Sequence, residues 1–151
     1  MLLGGSLCAA GQQQAAAPIE QRVALNETAG ALDGSGAPAL EATLRTTALH
    51  GAEDSPVTNI RLVVKNASNT SYAFITGLVT FYDGSGVRCG EGIFKADALA
   101  VNEAFETDTP GIRIRCAPST WRIVATNLLP RVPPTPITPI AETRGAQNLI
   151  I

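Results

Sequence analysis

From Leu40 onward, apolar and polar residues alternate in short runs, and each run ends in a cluster of Gly, Pro, Asn, Asp or Ser. Alternation with a period of two sends every second side chain to one face, so these runs predict β-strands. Leu40–Thr46 is the first, and Gly51–Pro56 breaks the pattern. Val57–Asn66 follows, with Ile60, Leu62 and Val64 on one face and Arg61, Val63 and Lys65 on the other. After the polar turn Asn66–Ser71, Tyr72–Asp83 is the strongest strand, nearly unbroken in β-branched and aromatic residues, with Gly77 at a bulge position. Asp83-Gly84-Ser85-Gly86 predicts a tight connection to a hairpin partner, Val87–Ala96, placed toward a sheet edge. Ala98–Glu103 reads as a crossing loop, Ala104–Thr107 as a short strand and Pro110-Gly111 as a turn. Ile112, Ile114 and Cys116 then point one way and Arg113 and Arg115 the other, the pattern of a half-buried strand. Ala117–Thr120 turns the chain into a last strand, Trp121–Leu128.

About seven short strands without an intervening helix predict an all-β fold, a single immunoglobulin-like antiparallel β-sandwich over residues 38–129. A small barrel is the alternative. Residues 12–37 hold Gln and Ala triplets and a Gly/Ala/Ser/Pro-rich stretch without bulky apolar residues at a steady period. They read as a low-complexity linker, with a short helix over Ile19–Leu32 as the other reading of its C-terminal half. Residues 130–151 open with five prolines in ten positions, which excludes helix and central strand and favours polyproline II. Both extensions are expected to be disordered. The chain ends in an apolar tip, Asn148–Ile151, suited to docking on a neighbouring surface.

Composition sharpens this picture. The seven aromatic side chains all lie between positions 72 and 121, which places the core there. Trp121 is the expected core anchor, with Ile123 and Ala125 continuing its face. The opposing wall is to be drawn from Leu62, Val64, Ile75, Val79, Phe81, Ile112 and Ile114. Net charge is −2, with no long run of either sign. Arg113, Arg115 and Arg122 are the best candidates for a basic cluster, but Glu103, Glu106 and Asp108 lie close in sequence. A solvated mixed-charge face is therefore expected, and no nucleic-acid partner.

Residues 1–11 resemble the end of a secretory signal peptide, an apolar stretch followed by small residues, with cleavage after Ala10 or Gly11. No basic residue precedes Arg22, so the charged start of such a signal is expected to be missing. The stretch is too short for a transmembrane span. Cys8 is a candidate for lipidation and hence for a lipid anchor, although Leu7 stands where a lipobox has a small residue. A cytoplasmic N-terminus is the remaining reading. Export would allow Cys89 and Cys116 to form a disulfide. Two buried thiols are the other reading, and two cysteines with the distant His50 do not make a tetrahedral zinc set.

Catalytic chemistry finds little support. His50 is the only histidine, with Glu53 and Asp54 nearby in a turn, so it reads as an exposed strand-end residue. Asp-Gly-Ser-Gly occurs at Asp33–Gly36 and again at Asp83–Gly86. Calcium loops need more oxygen ligands at fixed spacing, so both copies read as turns. The sequons at Asn26, Asn66 and Asn69 read as incidental. No catalytic residue, metal ligand or cofactor is expected.

Val64-Lys65-Asn66 with its polar turn, Leu78-Val79-Thr80-Phe81-Tyr82-Asp83, Gly86 and the later Phe105 resemble the FxLYD-type and related immunoglobulin-like domains of bacterial envelope proteins. The resemblance spans Ile60–Leu128, under half the chain, and the two cysteines and proline-rich tail depart from it. It implies an extracytoplasmic location, periplasmic, secreted or associated with the outer membrane, and no known chemistry. Two function classes follow: a non-enzymatic envelope module with a structural role or a protein partner, or an exported protein that binds a small ligand or glycan.

Overall fold

A computed structural model describes residues 20–109 and 111–132. Among these residues the chain forms eight strands and no helix. They are β1 (Val23–Ala24), β2 (Ala29–Leu32), β3 (Pro38–Leu44), β4 (Ile60–Asn66), β5 (Tyr72–Tyr82), β6 (Arg88–Leu99), β7 (Ala104–Thr109) and β8 (Thr120–Pro130). Two antiparallel four-stranded sheets result, one in the order β1-β8-β5-β6 and the other β2-β3-β4-β7. Their inner faces share one core, to which the first sheet contributes Ile75, Val79, Phe81, Phe94, Trp121 and Ile123 and the second Leu40, Ile60, Leu62 and Val64. This is the expected sandwich. Asn148–Ile151 and the other positions of the two extensions outside 20–132 lie beyond the described residues.

The sequence reading differs from the structure in two places. Residues 12–37 are not a linker throughout, and Ile19–Leu32 is not helical where it is described, because β1 and β2 lie in this stretch. Ala29 and Ala31 alternate with Gly30 and are fully buried, a period-two pattern carried by side chains too small to register as hydrophobic runs. Their size lets β2 pack closely across β8, on which Trp121 stands. The sandwich therefore begins well before residue 38. The second difference concerns Ile112–Cys116. Ile112 and Ile114 are buried while Arg113 and Arg115 are exposed, so the alternation holds, yet no ladder strand forms. The segment divides its backbone between two partners. Ile114 exchanges hydrogen bonds with Val57, at 2.9 and 3.0 Å, and Arg115 N–H donates to Cys89 O at 3.0 Å.

Trp121 is fully buried and stacks on Phe81 at a centroid separation of 6.3 Å. It faces Phe81 on β5 and Val23 on β1 across the ladders, so one indole lies in the middle of three strands. Its Nε1–H donates to Ala24 O at 3.1 Å, which satisfies the indole and holds β1 in place. Gly77 also has a packing role. A β-carbon there would overlap the ring of the buried Phe94, and the β5–β8 register shifts between Thr76 and Gly77, as a bulge requires.

The two Asp-Gly-Ser-Gly copies close the β2–β3 and β5–β6 hairpins with the same bonds. Asp33 Oδ1 accepts from Ser35 N–H at 2.9 Å and Ala37 N–H at 3.0 Å, and Asp83 Oδ1 accepts from Ser85 N–H at 2.9 Å and Val87 N–H at 3.0 Å. Gly36 and Gly86 sit at φ of +85° and +80°, a left-handed conformation that glycine adopts without steric cost. Both carboxylates are thus used as turn acceptors.

Two measurements follow. Trp121→Ala should lower unfolding stability by about 3–5 kcal/mol, read from denaturant midpoints, because it opens a large cavity and removes the indole N–H bond that holds β1. An unchanged midpoint would remove Trp121 from the core. The second concerns Asp33, whose carboxyl is held below its ordinary value by the Ser35 hydroxyl first and by the Ala37 and Ser35 N–H groups next. A lowered folded-state pKa stabilises the fold above the ordinary value, and that contribution is lost as pH falls through the lowered one. Asp33→Asn keeps an acceptor but cannot titrate. Between pH 5 and 2 the parent should therefore lose more stability than the variant, the divergence starting near pH ~4.

Candidate functional site

β6 is twelve residues long and stands at the end of its sheet. It pairs with β5 from Tyr72↔Leu99 to Tyr82↔Arg88. On its other side, the backbone hydrogen bond seen among the described residues is Arg115 N–H to Cys89 O. Between Gly90 and Asp97 the outward backbone groups have no partner among the described residues, the feature that lets an edge strand accept another strand, while Leu99 O accepts from Asn66 Nδ2.

The two faces of β6 differ because of what packs beneath them. Gly90, Gly92 and Phe94 face inward and are buried. A β-carbon on Gly90 would stand 2.9 Å from Ile114 Cγ1, and one on Gly92 3.1 Å from Thr109 Cβ. The glycines let the chain around Ile112–Ile114 lie directly under β6 and close the sandwich. Glu91, Ile93, Lys95 and Asp97 face outward and are exposed. Ile93 is 60% exposed and lies opposite Leu78, itself opposite Val124. This apolar row crosses the sheet and reaches solvent at β6.

The start of β6 is fastened covalently. Cys89 and Cys116 form a disulfide with a Cα separation of 6.0 Å, as the export reading expected. Beside it lies an open hollow of about 560 Å³, lined by Glu53, Arg88, Glu91, Arg113 and Arg115 among others. Arg88 pairs with Glu91 at 3.4 Å. Arg113 and Arg115 come together here as the sequence suggested, but Arg122 stands elsewhere, near the ring of Tyr82. The acids expected to neutralise them lie on the other sheet, where Glu106 and Asp108 meet Arg61 at 3.5 and 3.2 Å. That exposed cluster is the mixed-charge face, and such pairs contribute little to stability.

The other singled-out residues have structural settings. His50 is exposed and lies outside the hollow's lining. Asn66 is fully buried, and its Nδ2 donates to Thr70 O at 2.8 Å and Leu99 O at 3.2 Å. Its Oδ1 accepts from Ser68 N–H and Oγ, so the side chain organises the β4–β5 turn and is not free for a glycan. Cys8 lies outside the described residues. Sequence reasoning missed Arg22, whose guanidinium lies 3.8 Å from the centre of the Tyr82 ring and donates to Gly86 O at 3.2 Å. Arg22 was legible only as part of a linker, and its partner lies sixty residues away along the chain. No helix among the described residues is long and apolar enough to cross a membrane.

Comparison with family models, with curated proteins and with solved structures finds no match for this chain. The site must therefore be read from its own geometry. That geometry offers a free strand edge with an apolar centre, stapled at one end, next to a hollow rich in arginine.

Replacing both Cys89 and Cys116 by serine should lower unfolding stability by roughly 3–4 kcal/mol in the chain-entropy treatment of a loop of this size. Denaturation of the oxidised, reduced and doubly substituted chains checks this. The reduced and substituted forms should coincide, and equal midpoints for all three would show that the staple contributes nothing.

Proposed function

We propose that this chain is a non-enzymatic β-sandwich module of the cell envelope, located outside the cytoplasm, that holds a protein partner through the free edge of β6. The open backbone of Gly90–Asp97 carries this reading, because edge groups exposed to water can be exchanged for a strand supplied by a partner. The disulfide supports the location, since such bonds persist in oxidising compartments. The resemblance to FxLYD-type envelope domains points the same way. A polar small ligand is the second reading, favoured by a hollow that sets Arg88, Arg113 and Arg115 beside Glu53, Asp83 and Glu91. A glycan fits that hollow less well, because its lining has no aromatic ring on which a sugar could stack.

A photoreactive residue placed at position 93 in the full chain, in cells that export it, should give a discrete crosslinked adduct. The same residue at Thr43, exposed on β3, should give none. Equal labelling at both positions, or no adduct at 93, would defeat the edge reading. Ligand-dependent protection of Arg113 and Arg115 from guanidine-modifying reagents would favour the second.

A further inference from the structure

We infer that the partner of the β6 edge is a second copy of the same chain, joined antiparallel about a twofold axis at Ile93. This rests on the edge reading above and deepens it. The inference comes from the order of side chains on the outward face of β6: Glu91, Ile93, Lys95, Asp97.

Two identical antiparallel strands can pair about many axes, but most are poor here. Residues directly opposite each other must share a face, so the axis must pass through a residue. With the axis at Ile93, Ile93 meets Ile93, Glu91 meets Lys95 and Lys95 meets Glu91. The exposed apolar centre is covered and both flanking pairs are of opposite charge, the arrangement that stabilises cross-strand neighbours. With the axis one residue on, at Phe94, Glu91 meets Asp97. At Lys95, two lysines meet and Ile93 lies against Asp97. At Gly92, Ile93 meets Glu91 and Lys95 meets Cys89, so neither finds a suitable partner; the Ile93 axis confines the pairing to Glu91–Lys95, because there Asp97 falls opposite Cys89, whose carbonyl already accepts from Arg115 N–H. Of the axes from Gly92 to Lys95 this one alone satisfies both charge and hydrophobicity; an axis at Ala96 would pair Lys95 with Asp97 but set Ile93 against Leu99, which is buried and whose carbonyl already accepts from Asn66 Nδ2.

The surroundings fit this register. Lys95 makes no ion pair among the described residues. A lysine on an edge strand ordinarily discourages pairing. Here it favours a register that brings it to a carboxylate, and the one centred on Ile93 supplies Glu91, so it selects a partner of matching sequence. Glu91 already faces Arg88 at 3.4 Å and can accept a second cation. The Ile93–Leu78–Val124 row, which ends in water on one chain, continues into the same row of the second. The two larger sheets become one sheet of eight strands, a closed isologous contact that adds no third copy.

Analytical ultracentrifugation of the full, oxidised chain over a wide concentration series tests this. The parent should show a monomer–dimer equilibrium. Lys95→Glu sets Glu against Glu at both symmetric pairs and should weaken the dimer by about tenfold or more. Glu91→Lys should do likewise, and the double variant Glu91→Lys/Lys95→Glu should recover dimerisation with its charges exchanged. In a Cys8→Ser background, Ile93→Cys should give a covalent dimer on mild oxidation, because the paired β-carbons fall within disulfide reach. Thr43→Cys should remain uncrosslinked. A parent that stays monomeric throughout, a double variant no better than the singles, or equal crosslinking at Thr43 would overturn the proposal. The adduct mass at position 93 separates the two readings. Twice the chain mass supports self-pairing, another mass keeps the edge reading and removes self-pairing, and no adduct removes both.

Discussion

Burying the Trp121 indole leaves one N–H that must find an acceptor, and it finds Ala24 O on the strand beside it. Much of the first sheet depends on this. The indole stacks on Phe81, which fixes β8 against β5 at the end where the β5–β6 hairpin turns. Its hydrogen bond draws residues 23 and 24 into the sheet as β1, and the chain then crosses to β2. β2 has to pass close to a large buried ring, and it presents only Ala29 and Ala31 to the core. One bulky side chain and two small ones on facing strands thus set the spacing of the layers on this side.

The opposite side of the sandwich is closed by different means. Ile112 and Ile114 fill the core there, but their segment belongs to neither sheet. It bonds to Val57 on one side and Cys89 on the other, bridging the loop before β4 and the edge of β6. The disulfide at Cys116 holds the bridge to the start of β6, and Gly90 and Gly92 let it pass underneath. The consequence is uneven. The beginning of β6 is locked by covalent and hydrogen bonds, and the stretch from Gly90 onward is supported from below yet open at its edge. A rigid open edge loses little conformational entropy when it accepts a strand, which makes it a better binding surface than a frayed one.

Local chemistry was easy to read. Gly at fixed offsets from Asp identified both turns, though only Asp83–Gly86 was read as a hairpin, and β3, β4, β5 and β7 were located to within a few residues. The cysteine pair and the Trp121 anchor could be named because each type has a narrow range of environments when buried. The edge position of β6 was expected of the hairpin partner that follows Asp83–Gly86. Arg22 was missed because its partner, Tyr82, is distant in sequence, and the bond from Asn66 to Leu99 was illegible for the same reason, although its place in the β4–β5 turn was not. The acids thought to surround Arg113 and Arg115 sit on the other sheet, because β7 turns Glu106 and Asp108 toward Arg61.

From β3 onward, most strands, the turns between them and their apolar faces were legible in the chain, since these follow from the two-residue period and the φ preferences of single residues. Tertiary structure alone decided that alanines near the N-terminus belong to the core, because a small residue is informative only beside the large one it accommodates. It also decided that Ile112–Cys116 bridges the layers without pairing as a strand, because which backbone groups meet depends on the placement of Val57 and Cys89, far apart along the chain. Finally, it left one side of β6 beyond Cys89 without a strand partner among the described residues, and that openness arises from the order of strands in the sheet, a property no single segment carries.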